Sequence, residues 1–268
     1  MGIPFGLILP MPKSASAAGV KRAFDQHQLV LFYQPIHDLR SREVVSAEAL
    51  LRARRGDGEI RSGVPIATAA ERGPDLFRLD SWTMHRAYAD AAHWQTHGAK
   101  RVRLNVNLSP REFEENSLTE RLRKLVIGCG IDTSSINLEI TETTYIEHPR
   151  KSIGVLEELK GLGVQLWLDD FGSGHSSISH LLHFPLDGLK LPGSFIKPLL
   201  TDQRARAITR SIIDLAHELG LKVVAEEVEN EEQLEFLHQA GCDYIQGFLF
   251  SKPMPVEDFE RMLGTTQN

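Results

Sequence analysis

The sequence predicts an α/β barrel of eight strands alternating with helices, and three observations carry that reading. Short runs of β-forming residues recur eight times, each followed by a stretch of helical character. The length, 268 residues, suits one barrel domain. Polar side chains (Glu48, Asn107, Glu139, Asp169, Lys190, Glu226 and Gln246) recur near the C-terminal ends of different strands. In a barrel those ends form one face, the face that carries active sites.

Bulk properties narrow the function. Hydrophobic residues at 41% and charged residues at 25% fit a soluble globular protein. A net charge of −6 argues against a nucleic-acid surface, so no DNA partner is expected. Cys129 and Cys242 cannot form a disulfide framework and read as small buried hydrophobes in a reduced cytoplasm. Residues 3–11 are apolar but hold Pro4 and Pro10, lack a basic flank and are far too short to span a bilayer. No membrane contact is expected from the chain. Residues 1–19, ending in a Ser/Ala/Gly run, read as a tail or interdomain linker, and residues 20–268 as the barrel domain.

The elements follow in order. Residues 19–28 suit a short helix, and Leu29–Ile36 a strand, with Pro35 expected near its end or at a sheet edge because proline lacks a ladder donor. Val44–Arg52 is the second strand; Glu48 sits amid its apolar residues and needs a partner, Arg42 or Arg52 being the nearest candidates. Residues 53–64 read as a loop, and Ile66–Arg72 and Pro74–His97 as helices. His93 and His97 are four apart, but Trp94 stands where a zinc-protease helix has glutamate, so a solvated face is expected there. In Arg101–Leu108, Val102, Leu104, Val106 and Leu108 face one way and Arg103, Asn105 and Asn107 the other. Buried asparagines are costly unless something binds them.

Residues 110–129 read as mostly helical, Ile136–Thr141 as a strand holding Glu139 with Glu142 just beyond, and 149–162 as a helix stopped by Gly163. Val164–Asp169 is a buried strand ending in adjacent carboxylates, Asp169 and Asp170, before a glycine-rich turn and a helix capped by Ser176 or Ser177. Leu186–Leu191 is a strand with Lys190 between leucines; a lysine there needs an ion pair or a task. A helix over 202–220, a strand over 221–227 ending at Glu226, a helix over 231–240, a strand over 243–250 carrying Gln246 and a helix over 256–263 complete the chain.

Carboxylates crowded at one barrel mouth repel each other unless cations neutralise them. Donors that are all oxygen favour a hard ion, Mg²⁺ or Mn²⁺, over zinc. Adjacent aspartates suit a two-metal arrangement, in which ions about 3.5–4 Å apart activate water and stabilise the leaving oxygen of a phosphodiester.

The motifs carry a more specific message. Tyr33-Gln34-Pro35-Ile36, Glu48-Ala49-Leu50-Leu51-Arg52, Asn107-Leu108-Ser109, Glu139-Ile140-Thr141-Glu142, Asp169-Asp170-Phe171-Gly172-Ser173-Gly174, Lys190, Ala225-Glu226-Glu227-Val228-Glu229 and Gln246-Gly247-Phe248 occur in this order. Over about residues 20–263 the chain therefore resembles the EAL domains, bacterial cyclic di-GMP phosphodiesterases. The resemblance implies a TIM-like (β/α)8 barrel whose first strand is antiparallel, and metal-dependent hydrolysis of cyclic di-GMP to linear pGpG. It implies that Glu48, Asn107, Glu139 and Asp169 hold one metal ion, and that Asp169, Asp170 and Glu226 hold a second. Lys190 would position the attacking water. Gln34, Leu50, Arg52 and Gln246 would line the substrate site, and Glu142 and Glu229 would fix the loop after Asp170. It further implies a homodimer formed by the helix at 201–219 and that loop, and a sensor or cyclase module elsewhere in a longer chain.

Two positions depart from the family pattern: Pro192 stands where aspartate is usual, and Glu227 where glycine is usual. Neither is an assigned metal ligand. Two other readings compete with the phosphodiesterase: a non-catalytic EAL-like receptor of cyclic di-GMP, and an unrelated metal-dependent barrel enzyme such as an enolising lyase. The complete ligand set disfavours the receptor, and Arg52 with no paired lysine base disfavours the lyase.

Overall fold

The structure, a computed structural model, describes residues 17–71, 73–99, 102–114, 117–141, 149–172 and 178–264. Of the expected tail 1–19, residues 1–16 lie outside the described residues, as do Glu142 and the turn with Ser176 and Ser177, while residues 17–19 begin a helix. The first elements are α1 (Ala17–Asp25), β1 (Leu29–Asp38), β2 (Val44–Arg54), β3 (Ile60–Ser62), α2 (Val64–Glu71) and α3 (Leu76–Thr96). Then come β4 (Arg103–Leu108), α4 (Leu118–Cys129), β5 (Ile136–Thr141), α5 (Pro149–Gly161), β6 (Gln165–Asp169), α6 (Ile178–His183), β7 (Gly188–Leu191) and α7 (Gly193–Ile196). The chain finishes with α8 (Gln203–Glu218), β8 (Lys222–Ala225), α9 (Glu231–Gln239), β9 (Tyr244–Ile245), β10 (Met254–Pro255) and α10 (Val256–Leu263).

Contacts divide the chain into two units: Met1–Val30 with Leu51–Leu79, and Leu31–Leu50 with Asp80–Asn268. In the first, the end of β2 pairs antiparallel with β3, Arg52 opposite Ser62, where the sequence suggested only a loop. The Arg78 guanidinium lies over the Phe24 ring, 4.1 Å from its centroid.

The second unit holds the barrel. Around the ring the order is β1-β9-β8-β7-β6-β5-β4-β2, closed by the pairing of β2 with β1. Neighbours from β2 through β4 to β9 are parallel, and β1 is antiparallel to β9. This is the TIM-like barrel with a reversed first strand that the sequence predicts. Pro35 is neither at a strand end nor at an edge. It falls where β1 changes partner, after Tyr33 pairs with Met254 of β10 and before His37 pairs with Ile245 of β9, so its missing N–H lies between those two pairings.

Several strands are shorter than expected. β7 starts two residues late, at Gly188, and β8 and β9 end their ladders early, so that Glu226 and Gln246 stand just past the last paired residues. The predicted helix over 110–129 begins instead as a 3₁₀ turn, Pro110–Glu114, before α4. At the other end of the barrel, side-chain carboxylates hold the strand starts. Asp187 accepts from the Leu166 amide at 2.8 Å and from Lys160 at 2.7 Å. Asp243 accepts from the Val223 amide, Lys222 and His217. Burial alone would raise the Asp243 pKa, but the bonds from Lys222, His217 and Val223 outweigh it and hold the carboxyl below its ordinary range.

Candidate active site

Strand alternation sends Glu48, Asn105, Asn107, Glu139, Asp169 and Lys190 into the barrel. Parallel register then sets Asn107 beside Glu139 and Thr141 beside Asp169. Lys190 is the centre. Its side chain is 1% exposed, and its Nζ lies 3.2 Å from Glu48 Oε2, 3.1 Å from Glu139 Oε2, 3.4 Å from Asp169 Oδ1 and 2.8 Å from Glu226 Oε1. Glu48 therefore finds its cation across the barrel, on β7, and not in Arg42 or Arg52. The reason is topological: residue 190 is remote in sequence but nearly opposite in the ring.

Amides complete the cage. Asn107 Nδ2 donates to Glu48 Oε1 at 3.1 Å, and Gln246 Nε2 donates to Glu48 Oε2 at 2.8 Å and to Gln34 Oε1 at 3.2 Å. Gln34 in turn donates to the Ser251 carbonyl. Asn137 donates to Asn105 at 2.9 Å, and Asn105 to Glu139 at 2.7 Å. Asn105 and Asn137 are structural members of the site that motif matching passes over; the signal for them was the alternation of polar residues in buried strands.

Four carboxylates share one ammonium, and the shifts of the three glutamates and the lysine reflect the imbalance. Burial would lower the Lys190 pKa, but Asp169, Glu139, Glu226 and Glu48 together raise it well above the ordinary lysine value, so it stays charged. Burial likewise pushes Glu48 up, but Lys190, Gln246 and Asn107 bring it below the usual range. Glu139 goes the other way: burial, with Glu48 and Asp169 adding repulsion, outweighs Lys190 and raises it well above normal. Burial raises Glu226 to about 7, against the pull of Lys190. Carboxyls whose proton affinity is raised by burial and mutual repulsion are short of positive charge, and further cations would satisfy them.

The geometry of β6 and β8 marks a place for such a cation. One oxygen each from Asp169, Asp170 and Glu226 lie within 4.8 Å of one another. All three are hard donors, which fits Mg²⁺ or Mn²⁺. Asp170 reaches this position with φ of 54°, in the left-handed region that aspartate tolerates better than most residues. Its amide donates to Asp169 Oδ1 at 2.9 Å, and the next amide, of Phe171, donates to the Lys190 carbonyl at 3.2 Å.

The EAL domain family model matches residues 17–253. The chain belongs to the EAL domain family. It is 37% identical over 244 residues to the cyclic di-GMP phosphodiesterase NbdA of Pseudomonas aeruginosa, covering 91% of this chain and 31% of that protein. It is 33% identical over 242 residues to the cyclic di-GMP phosphodiesterase PdeR of Escherichia coli, covering 90% and 36%. The structure of the PaMucR phosphodiesterase in complex with c-di-GMP superposes with a TM-score of 0.86 at 33% identity, over 90% of this chain and 98% of that one. The chain thus spans about a third of the length of these curated relatives.

Against the EAL pattern, the two departures acquire a structural meaning. Glu227 has φ of 54°, which explains why glycine is usual there. Holding a non-glycine residue in that region costs about 1–2 kcal/mol. The Glu227 carboxyl pairs with Lys197, and it packs so closely over Gly193 that a Cβ at residue 193 would stand 2.5 Å from it. Pro192 precedes α7 in an extended conformation, with φ of −67°, and makes no side-chain cap. Gly247, next to Gln246, is required by the same loop: a Cβ there would collide with the Val228 carbonyl oxygen. Of the remaining site residues, Leu50 is half-buried, and Arg52, in the first unit, donates to the Leu51 carbonyl at 2.9 Å. Glu229 is exposed, with its amide bonded to Gln233 Oε1 at 2.8 Å.

Proposed function

We propose that this chain hydrolyses one phosphodiester bond of cyclic di-GMP to give linear pGpG, with two Mg²⁺ or Mn²⁺ ions, in second-messenger signalling. The observation that carries the reading is the convergence of four carboxylates on Lys190, with Asp170 beside them, in a chain whose relatives are named cyclic di-GMP phosphodiesterases. Glu48, Asn107, Glu139 and Asp169 would hold one ion; Asp169, Asp170 and Glu226 would hold the other. Bound there, the ions supply Lewis-acid polarisation of the phosphoryl oxygens and a water of lowered pKa.

The chain's own residues do the rest. Lys190, kept charged by its neighbours, orients the attacking water. Gln34, Leu50 and Gln246 contact the substrate, and Arg52 meets a phosphate, for which its planar fork is suited. Glu142 and Glu229 hold the loop after Asp170.

Added chelator is expected to abolish turnover, and Mg²⁺ or Mn²⁺ to restore it, measured as release of pGpG. Ca²⁺ should bind but support little turnover, because its longer and less regular coordination misplaces the water. Undiminished activity in excess chelator would rule out the two-metal reading. Cyclic di-GMP binding without turnover under any of these ions would point to a receptor instead.

The same proposal extends to assembly and context. The exposed Leu200 and Ile208, on and just before α8, supply apolar surface for a two-fold homodimer. Light scattering at micromolar concentration should show the dimer mass; a fully active monomer would contradict it. A sensor or cyclase module in a longer chain, and a cytoplasmic setting, belong to the same reading. No described helix is long and apolar enough to cross a membrane.

A further inference from the structure

The barrel has a second interior space, at the end away from the carboxylates. A cavity of about 340 Å³ is lined by Ser46, Arg103, Asn137, Gln165, Trp167 and Tyr244, among others. Arg103, Gln165 and Tyr244 are the first residues of β4, β6 and β9, so the space lies at the N-terminal mouth. Barrels usually fill their interior layers with branched aliphatic side chains, and this mouth ordinarily serves stability. Here the polar Ser46, Arg103 and Gln165 share the wall with Val45, Trp167 and Val224, and the layer is hollow. A volume of this size is within the range of small-molecule pockets, and roughly ten times one water's share of liquid.

The charges around it do not balance internally. Lys222, on the wall, is paired with Asp243 at 2.7 Å, and Asp187 is paired with Lys160 at 2.7 Å. Arg103 has no carboxylate partner among the described residues; its one hydrogen bond is long, 3.5 Å to Asn137 Oδ1. Asn137 is held in place because its Nδ2 donates to Asn105. Ser46 is buried and Gln165 half-buried, and neither side chain has a hydrogen bond among the described residues. The buried Trp167 Nε1 also lacks a partner among them. Of these groups only the Trp167 Nε1 is fully buried without a partner among the described residues; the Ser46, Gln165 and Arg103 donors face the space without a carboxylate partner among them, and a guanidinium fork matches an oxyanion.

We infer that this cavity is a binding site for a small oxyanion, a carboxylate or a phosphate ester, anchored by Arg103 with Ser46 and Gln165 as further donors. It is separate from the carboxylate cluster, whose charge would repel such a ligand. The test is calorimetric titration of inorganic phosphate, and separately of succinate, into the full chain in Mg²⁺. Saturable binding of one or both at millimolar concentration or below is expected, and which of them binds assigns the anion class. Arg103→Gln should weaken it by about tenfold or more, as the loss of a charged hydrogen bond does. Gln165→Leu, which keeps the charge, should weaken it less and serves if the arginine variant fails to fold. Arg52→Gln should leave it unchanged. Absence of saturable binding by either anion would overturn the inference. So would binding that survives Arg103→Gln and Gln165→Leu but is lost in Arg52→Gln, since the anion would then occupy the substrate site.

Discussion

Replacing Asp169 with asparagine is expected to lower kcat by about a thousandfold, the upper end of the range for one preorganised group, while Asp170→Asn costs about tenfold to a hundredfold. Asp169 sits at the end of β6, 3.4 Å from the Lys190 ammonium, and its oxygen also lies in the group with Asp170 and Glu226. Glu226 has the same two placements, 2.8 Å from the ammonium, but in the proposed assignment Asp169 is the carboxylate shared by both ion sites. Asp170 contributes to one. The Asp170→Asn variant should keep the fold, since asparagine accepts a φ of 54° as readily as aspartate. Steady-state rates across a Mn²⁺ titration distinguish the two: a lost ligand at one site is partly recovered at high metal, and a lost shared ligand is not. Equal and mild losses in both variants would refute the assignment of Asp169 as the shared residue.

Lys190→Ala should lower kcat by about a hundredfold or more, on the scale of roughly 3 kcal/mol for a preorganised donor, with substrate binding in Ca²⁺ little changed. The competing outcome is a purely structural one, in which the folded fraction turns over normally and only thermal stability is lost. The two are separable because the ammonium has a second, measurable task. In the metal-free protein it offsets four carboxylates, and Glu226 already titrates near 7 there. A carboxyl whose folded pKa is raised contributes stability that is fully present below its unfolded value and is lost as pH rises through the folded one. For Glu226 that window runs from the ordinary glutamate range up to about 7. Without Lys190 the fall should be steeper, and added Mg²⁺ should reverse it. Melting temperatures across this window, beside rates in saturating metal, separate the charge-balancing role from the chemical one.

The eight barrel strands, their α/β alternation and the donor types are legible in the chain alone, the short β3 and β10 are not, and the reversed first strand follows from its family resemblance. Eight periodic apolar runs can be read from local pattern, because the side-chain period of a strand is a local property. Glu48, Lys190 and Asp169 stand out because a charge between apolar neighbours in a strand has few explanations. Their partners do not. Local pattern points Glu48 to the nearest arginines, yet it meets Lys190, 142 residues away, because barrel closure sets β2 and β7 across one lumen. The same holds for Asn105 and Asn137, whose joint role depends on parallel register between β4 and β5. Pro35 lies inside β1 where the partner changes from β10 to β9, a change that no single strand's sequence reveals. The cavity at the opposite mouth is equally hidden, since Ser46, Arg103 and Gln165 look ordinary near strand starts until closure turns them toward a common space. Which donors remain unpaired is decided by the ring as a whole, because hydrogen-bond satisfaction is counted across the lumen and not along the chain.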